Sequence, residues 1–118
     1  MNGFLDESND AFLTFDFGQG ELEFLVDTGS SGSLVVGEYY FDASKASFVG
    51  HVEVGLAAGQ TQEYARYEMT FTWFARPINK RILVGPGKEC IVGTELFNPN
   101  RLEIDYSKRT VRLTPSSN

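Results

Sequence analysis

The residues best suited to chemistry are Asp27-Thr28-Gly29-Ser30-Ser31-Gly32, which follow Phe24-Leu25-Val26 and lead into Ser33-Leu34-Val35-Val36. An apolar β-type run thus delivers one carboxylate into a glycine-bounded turn. Val and Leu suit a buried strand, and glycine permits backbone angles closed to other residues. A carboxylate at the exit of a core strand is held rigid, and burying one there without a purpose is costly. The plain alternative is turn chemistry, in which an Asp side chain bonds the backbone two residues further on. The other reactive types offer less. His51 and Cys90 are single and far apart in sequence, so they form no evident nucleophile–base pair, and together they cannot make a protein-ligated zinc site. Cys90 reads as a small buried apolar residue. Asp105 precedes a hairpin turn and reads as turn chemistry.

Two hairpins frame the carboxylate. Ala11, Leu13, Phe15 and Phe17 alternate with Phe12, Thr14 and Asp16, predicting a strand, and Gly18-Gln19-Gly20 turns the chain into Glu21–Val26. The segment 37–47 has mixed character and no assignment. Val52, Val54 and Leu56 alternate with His51, Glu53 and Gly55. Thr61–Phe74 returns with Tyr67, Met69, Phe71 and Trp73 on one face, which makes a long hairpin with a small, uncharged tip. A turn is predicted at Arg76–Asn79, a strand over Arg81–Val84 and a break at Gly85-Pro86-Gly87. Cys90-Ile91-Val92 is a short strand ending at Gly93, and Thr94–Phe97 is one helical turn stopped before Pro99. A last hairpin pairs Arg101–Tyr106 with Thr110–Leu113. Residues 1–10 are polar and acidic and are expected to be a loose lead-in, leaving 11–118 as one all-β domain.

The 118 residues fit one domain of modest core, for which association adds stability. Hydrophobic content of 42% and aromatic content of 14% indicate a folded chain, and ten Phe with five Tyr lean towards β-structure. A net charge of -6 argues against a nucleic-acid partner, which requires clustered Lys and Arg. One Cys permits no internal disulfide. The acidic start lacks the apolar core of a secretory signal, and no stretch is long enough to span a bilayer as a helix. The expectation is a soluble cytoplasmic domain with no membrane partner.

The order of parts resembles the single-domain retroviral-type aspartic proteases, the retropepsin-like family, and is most similar to its bacterial members. A short hairpin leads into Leu25-Val26-Asp27-Thr28-Gly29-Ser30, and a long hairpin follows. Then come Ile82-Leu83-Val84-Gly85-Pro86 and Ile91-Val92-Gly93 before a short helical segment, over about residues 11–113. The resemblance implies a closed β-barrel with a flap hairpin and one short helix near the C-terminal part. It implies an aspartic endopeptidase without cofactor or metal. Such chemistry uses two carboxylates sharing one proton, so that one acts as acid and the other as base. This chain holds one Asp-Thr-Gly, so the second must come from a second copy across a two-fold axis, and the monomer should be inactive.

As the resemblance implies, Asp27 is the catalytic carboxylate, Thr28 bonds across the two-fold, and Gly29 lets backbone approach the peptide. Ser31, Leu56, Ala57, Ala58, Gly59, Lys88, Glu89 and Ile91 would line the substrate. Val92 and Gly93 would support the active-site loop, Gly93 because a side chain there collides with it. The sequence also departs from the family. Ser31 and Thr94 stand where the retroviral enzymes usually carry an acid and an arginine, so the dimer needs other supports, with the terminal strands as candidates. Ala57-Ala58-Gly59 replaces a glycine-rich flap tip. Lys88 and Glu89 replace apolar residues, implying a more polar and selective cleft. Two other readings use the same fold: a catalytically inactive dimeric peptide-binding or scaffolding module, and a monomeric β-domain.

Overall fold

The alternation of apolar and polar residues is realised as ten strands in one mixed sheet. A computed structural model describes residues 1–116 of the chain. The strands are β1 (Asn2–Leu5), β2 (Ala11–Asp16), β3 (Glu21–Val26), β4 (Leu34–Gly37), β5 (Ser47–Gly55), β6 (Thr61–Trp73), β7 (Arg76–Gly85), β8 (Ile91–Val92), β9 (Arg101–Asp105) and β10 (Thr110–Thr114), with one helical turn, α1 (Thr94–Phe97). Their order is β5-β6-β7-β4-β8-β3-β2-β1-β10-β9. The sheet is therefore open, with β5 and β9 as edges, where a closed barrel was expected. The β5–β6 hairpin sits at one end of this order and the β9–β10 hairpin at the other, and among the described residues no pairing joins them.

Inward residues make the core as the period-two pattern requires. Ala11, Leu13 and Phe15 of β2 are buried, as are Met69, Phe71 and Trp73 of β6. Phe15 stacks on Phe24 at 4.4 Å between ring centroids and meets Trp73 edge-on at 5.0 Å. Each such ring contributes about 1.5–3 kcal/mol by leaving water. The β2–β3 turn is closed by Asp16, whose Oδ1 accepts from the amides of Gly18 (2.8 Å) and Gly20 (3.1 Å). Both glycines have positive φ, 98° and 116°.

Residues 1–10 differ from the loose lead-in that was expected. β1 pairs with β2 on one side and β10 on the other. Polar segments are ordered when partners pin them, and here Arg109 does so. Its guanidinium donates to Leu5 O (3.2 Å), Asp6 O (2.7 Å) and Asn9 Oδ1 (2.8 Å). The turn expected at Arg76–Asn79 lies instead at Phe74-Ala75, with φ of 51° and 62°, and Trp73 faces Arg76 in register. Two residues of positive φ match the twist of a two-residue hairpin. The unassigned segment 37–47 contains two single 3-10 turns, Glu38–Tyr40 and Ala43–Lys45. Among the described residues no helix is long and apolar enough to cross a membrane.

β1 approaches β2 so closely at Gly3 that an added Cβ would overlap the Phe12 carbonyl oxygen. Gly3→Ala is therefore expected to lower unfolding free energy by about 1–3 kcal/mol in urea titration. An unchanged midpoint would show that β1 is not paired in solution.

Candidate active site

The two-residue strand β8 lies between β3 and β4, so the chain leaving β3 must pass over its end to reach β4. β8 runs parallel to β3, with Leu25 opposite Ile91 and Val26 opposite Val92, and antiparallel to β4. The linking segment is 27–33. The Asp27 amide donates to Val92 O (3.0 Å), which makes Asp27 the last residue tied to the sheet.

The segment is then clasped from beneath by the chain entering α1. Gly93 N donates to Ser33 O (2.8 Å), Thr94 N to Ser30 O (2.9 Å) and Glu95 N to Gly32 O (3.2 Å). The Thr94 hydroxyl adds a second bond to Ser30 O at 3.0 Å. The first amides of a helical turn have no partner inside it, and here they meet loop carbonyls that would otherwise be unpaired. Gly93 is buried, and a Cβ there would overlap Gly32 O and stand 2.9 Å from Ser30 O. Buried Ser33 donates to Arg81 O at 2.6 Å, fastening the segment to β7 as well.

Within this frame the carboxylate of half-buried Asp27 is oriented by its own turn. Oδ1 accepts from the Gly29 amide at 2.9 Å, while Oδ2 makes no hydrogen bond among the described residues. The turn chemistry and a free acid oxygen therefore coexist in one side chain. Thr28 and Gly29 are exposed beside it.

The long hairpin β5–β6 ends at Leu56–Gln60, where Leu56 N donates to Gln60 O (2.7 Å). Ala58 and Gly59 take positive φ of 61° and 74°, and Leu56 is 46% exposed. A cleft of about 410 Å³ lies between this hairpin and the loop, bounded by residues 30–33, Val54, Arg66, Arg81 and Glu95.

The structure thus brings together Asp27, Thr28, Gly29, Val92 and Gly93, with Ser31 at the cleft wall. Ile91 is half-buried between Leu25 and Val35. Lys88 and Glu89 are exposed and lie outside that wall. The Lys88 ammonium sits 4.5 Å from the Tyr39 ring centroid, and Lys88 borders a different cavity with Glu21, Glu23 and Tyr40. Residues that sequence reasoning missed are Ser33, Arg66, Arg81 and the Thr94 hydroxyl. The sequence marks Thr94 as the start of a helical turn and as standing in place of an arginine, not as a donor to the loop, and only the fold brings the two arginines to the cleft.

The competing groups have structural explanations. Asp105 is held below the usual carboxylate range first by the Lys108 amide (3.0 Å) and then by the Ser107 hydroxyl (2.8 Å), so it closes its turn. Burial pushes the Cys90 thiol up, away from the thiolate that a nucleophile needs. His51 Nδ1 lies 3.4 Å from Glu63 Oε1 on the exposed part of β5 and β6, and among the described residues no thiol or hydroxyl completes a relay.

The sequence matches no protein-family model and no curated protein. The fold, in contrast, is similar to a solved structure described as a retropepsin-like aspartic protease from Rickettsia conorii. The TM-score is 0.65 at 18% identity, covering 96% of this chain and 88% of that one. The class of architecture is thereby defined: a mostly-β, retropepsin-like fold, with Asp27 on its clasped loop.

Gly93→Ala is expected to cost about 1–3 kcal/mol by forcing Gly32 and Ser30 away, and Thr94→Ala about 1 kcal/mol. A Cβ on Gly32 meets nothing within 4 Å, so Gly32→Ala should change stability by less than about 0.5 kcal/mol. Urea titration of the three variants checks the ranking.

Proposed function

We propose that the chain is an aspartic endopeptidase that works as a symmetric homodimer, each copy contributing Asp27. One observation carries this reading: a retropepsin-like fold presents an Asp carboxylate with one oxygen fixed and one open, on a loop clasped by main-chain bonds. A single carboxylate cannot both take a proton from water and give one to the peptide carbonyl. Two in proximity share a proton, because two like charges a few ångströms apart resist joint ionisation; aspartic proteases are the standard example of this effect. The ionised member takes a proton from water as the water oxygen attacks the carbonyl carbon. The protonated member donates to the carbonyl oxygen. The resulting tetrahedral diol then collapses with cleavage of the C–N bond, and the amine leaves with a proton from the pair. The pair titrates as a unit, so apparent pKa values belong to both residues.

The long hairpin acts as a flap over an extended peptide, which is bound largely through its main chain as an added strand. Thr28 bonds the second copy's loop in this reading, which its exposure beside Asp27 supports. Of the terminal strands, β1 spends both edges inside the chain, whereas β9 has one edge unpaired among the described residues and carries half-buried Leu102 and Ile104. β9 is therefore the terminal strand best suited to meet a second copy. A silent peptide-binding dimer is the second reading, favoured by one fact: Asp27 Oδ1 already serves the turn within a single chain.

Asp27→Asn separates the two readings because an Asn oxygen can still accept from the Gly29 amide, leaving the turn intact. Peptide cleavage by the wild-type protein is expected to fall at least about 100-fold in this variant, with an unchanged melting temperature. Cleavage that survives the substitution contradicts the endopeptidase reading, as does a wild-type protein that cuts no peptide between about pH 3 and 8.

A further inference from the structure

The cleft beside the Asp27 loop has an unusual charge for this protein. The chain carries 16 Asp and Glu against ten Lys and Arg, yet the cleft wall holds two guanidinium groups, Arg66 and Arg81, and one carboxylate, Glu95. That carboxylate is already engaged, since Lys80 Nζ lies 3.1 Å from Glu95 Oε1. Neither arginine side chain makes an ion pair or hydrogen bond among the described residues. Glu68 stands opposite Arg81 in the β6–β7 register but is not within ion-pair distance of it. Of the other arginines, Arg101 is partnered by Glu103 at 3.4 Å and Arg109 by three oxygens, while Arg76 and Arg112 also lack a partner among the described residues but are exposed to water, unlike half-buried Arg66.

Arg66 is half-buried, directly across from Leu83 on β7. A guanidinium removed in part from water, beside an aliphatic side chain and without an anion, forgoes the charge-assisted bonds that normally offset such burial. Its planar fork matches a carboxylate. The opposite wall offers the exposed Ser31 hydroxyl as a further donor. The volume of about 410 Å³ is ample for an acidic side chain with water.

We infer that Arg66 and Arg81 are specificity-determining residues that receive an acidic side chain of the peptide substrate. The inference deepens the endopeptidase reading and rests on it for the path of the peptide. The cleft begins at Ser30, three residues beyond Asp27, so chain geometry limits the separation along the loop to about 10 Å. An extended peptide covers that distance in about three residues. The acidic residue therefore lies within about three positions of the bond to be cut. Arg66 and Arg81 touch the substrate side chain and take no part in proton transfer.

The test uses full-length Asp27→Asn protein and positional-scanning libraries of ten-residue peptides, with one position fixed and the others random. Binding is expected to favour Asp or Glu over Asn or Gln at one position by at least about tenfold, the low end for a charge-assisted bond. Arg81→Gln, at an exposed site, should reduce that preference, and Arg66→Gln with Arg81→Gln should abolish it. Lys108→Gln, in the remote β9–β10 turn, should leave it intact. Circular dichroism of each variant verifies folding. Equal binding of acidic and neutral peptides overturns the inference, as does a preference that persists in the double variant. Hydrolysis by the wild-type protein is read separately. Acid-selective binding without any cutting keeps this inference and removes the hydrolytic one, and cutting without acidic preference does the reverse.

Discussion

The Asp27 loop depends on a clasp made of main-chain groups. Ser30, Gly32 and Ser33 offer carbonyl oxygens, and Thr94, Glu95 and Gly93 supply the amides that meet them. Each bond contributes about 1 kcal/mol, and leaving the buried Ser33 carbonyl unpaired costs more than its bond is worth. The loop is thus held by the sum of these bonds rather than by the strength of any one contact. The insertion of β8 between β3 and β4 makes the clasp possible, because it brings residues 93–95 beneath the loop. The absence of a side chain at Gly93 then sets the distance of approach. Almost every partner is backbone, so most side chains around the loop are free to vary while its geometry stays.

Much of this arrangement was legible in the chain itself. Alternation in β2, β3 and β6 marked strands because one face of each meets the core, whereas β5 alternates only between exposed and half-buried positions, and Gly18 with Gly20 marked a turn that needs positive φ. The short run Ile91-Val92-Gly93 was legible through its resemblance to a family motif, and its position in the sheet agrees with a loop-supporting place. The errors have physical causes. Residues 1–10 read as loose because their own composition is polar, but order there comes from Arg109, about a hundred residues away in sequence. The turn at Phe74-Ala75 was missed because neither residue is a usual former of positive-φ turns, and strand pairing from Trp73 and Arg76 imposes the conformation. A closed barrel was expected from the resemblance, whereas the observed pairing leaves β5 and β9 as edges.

The candidate site divides along the same line. Asp27, Thr28 and Gly29 stood out as a candidate because the carboxylate and the turn that orients it share adjacent residues. Arg66 and Arg81 were invisible because they are separated by a hairpin turn and reach the cleft only once β6 and β7 pair. Lys88 and Glu89 drew notice as polar replacements, yet Lys88 turns to the Tyr39 ring outside the cleft. The basic groups beside the Asp27 loop are instead Arg66 and Arg81, on strands β6 and β7. An acidic protein with a locally basic cleft repels most anionic partners at long range while retaining a short-range preference for one carboxylate.

The central claim is that one chain holds half of the acid pair and a second copy completes it. Specific activity measured against protein concentration, alongside sedimentation over the same range, tests this most directly. The account predicts that activity per chain falls on dilution in step with the dimer fraction, and that excess Asp27→Asn chains suppress the remainder by forming mixed dimers. Constant activity per chain in a protein that sediments as a monomer would contradict it.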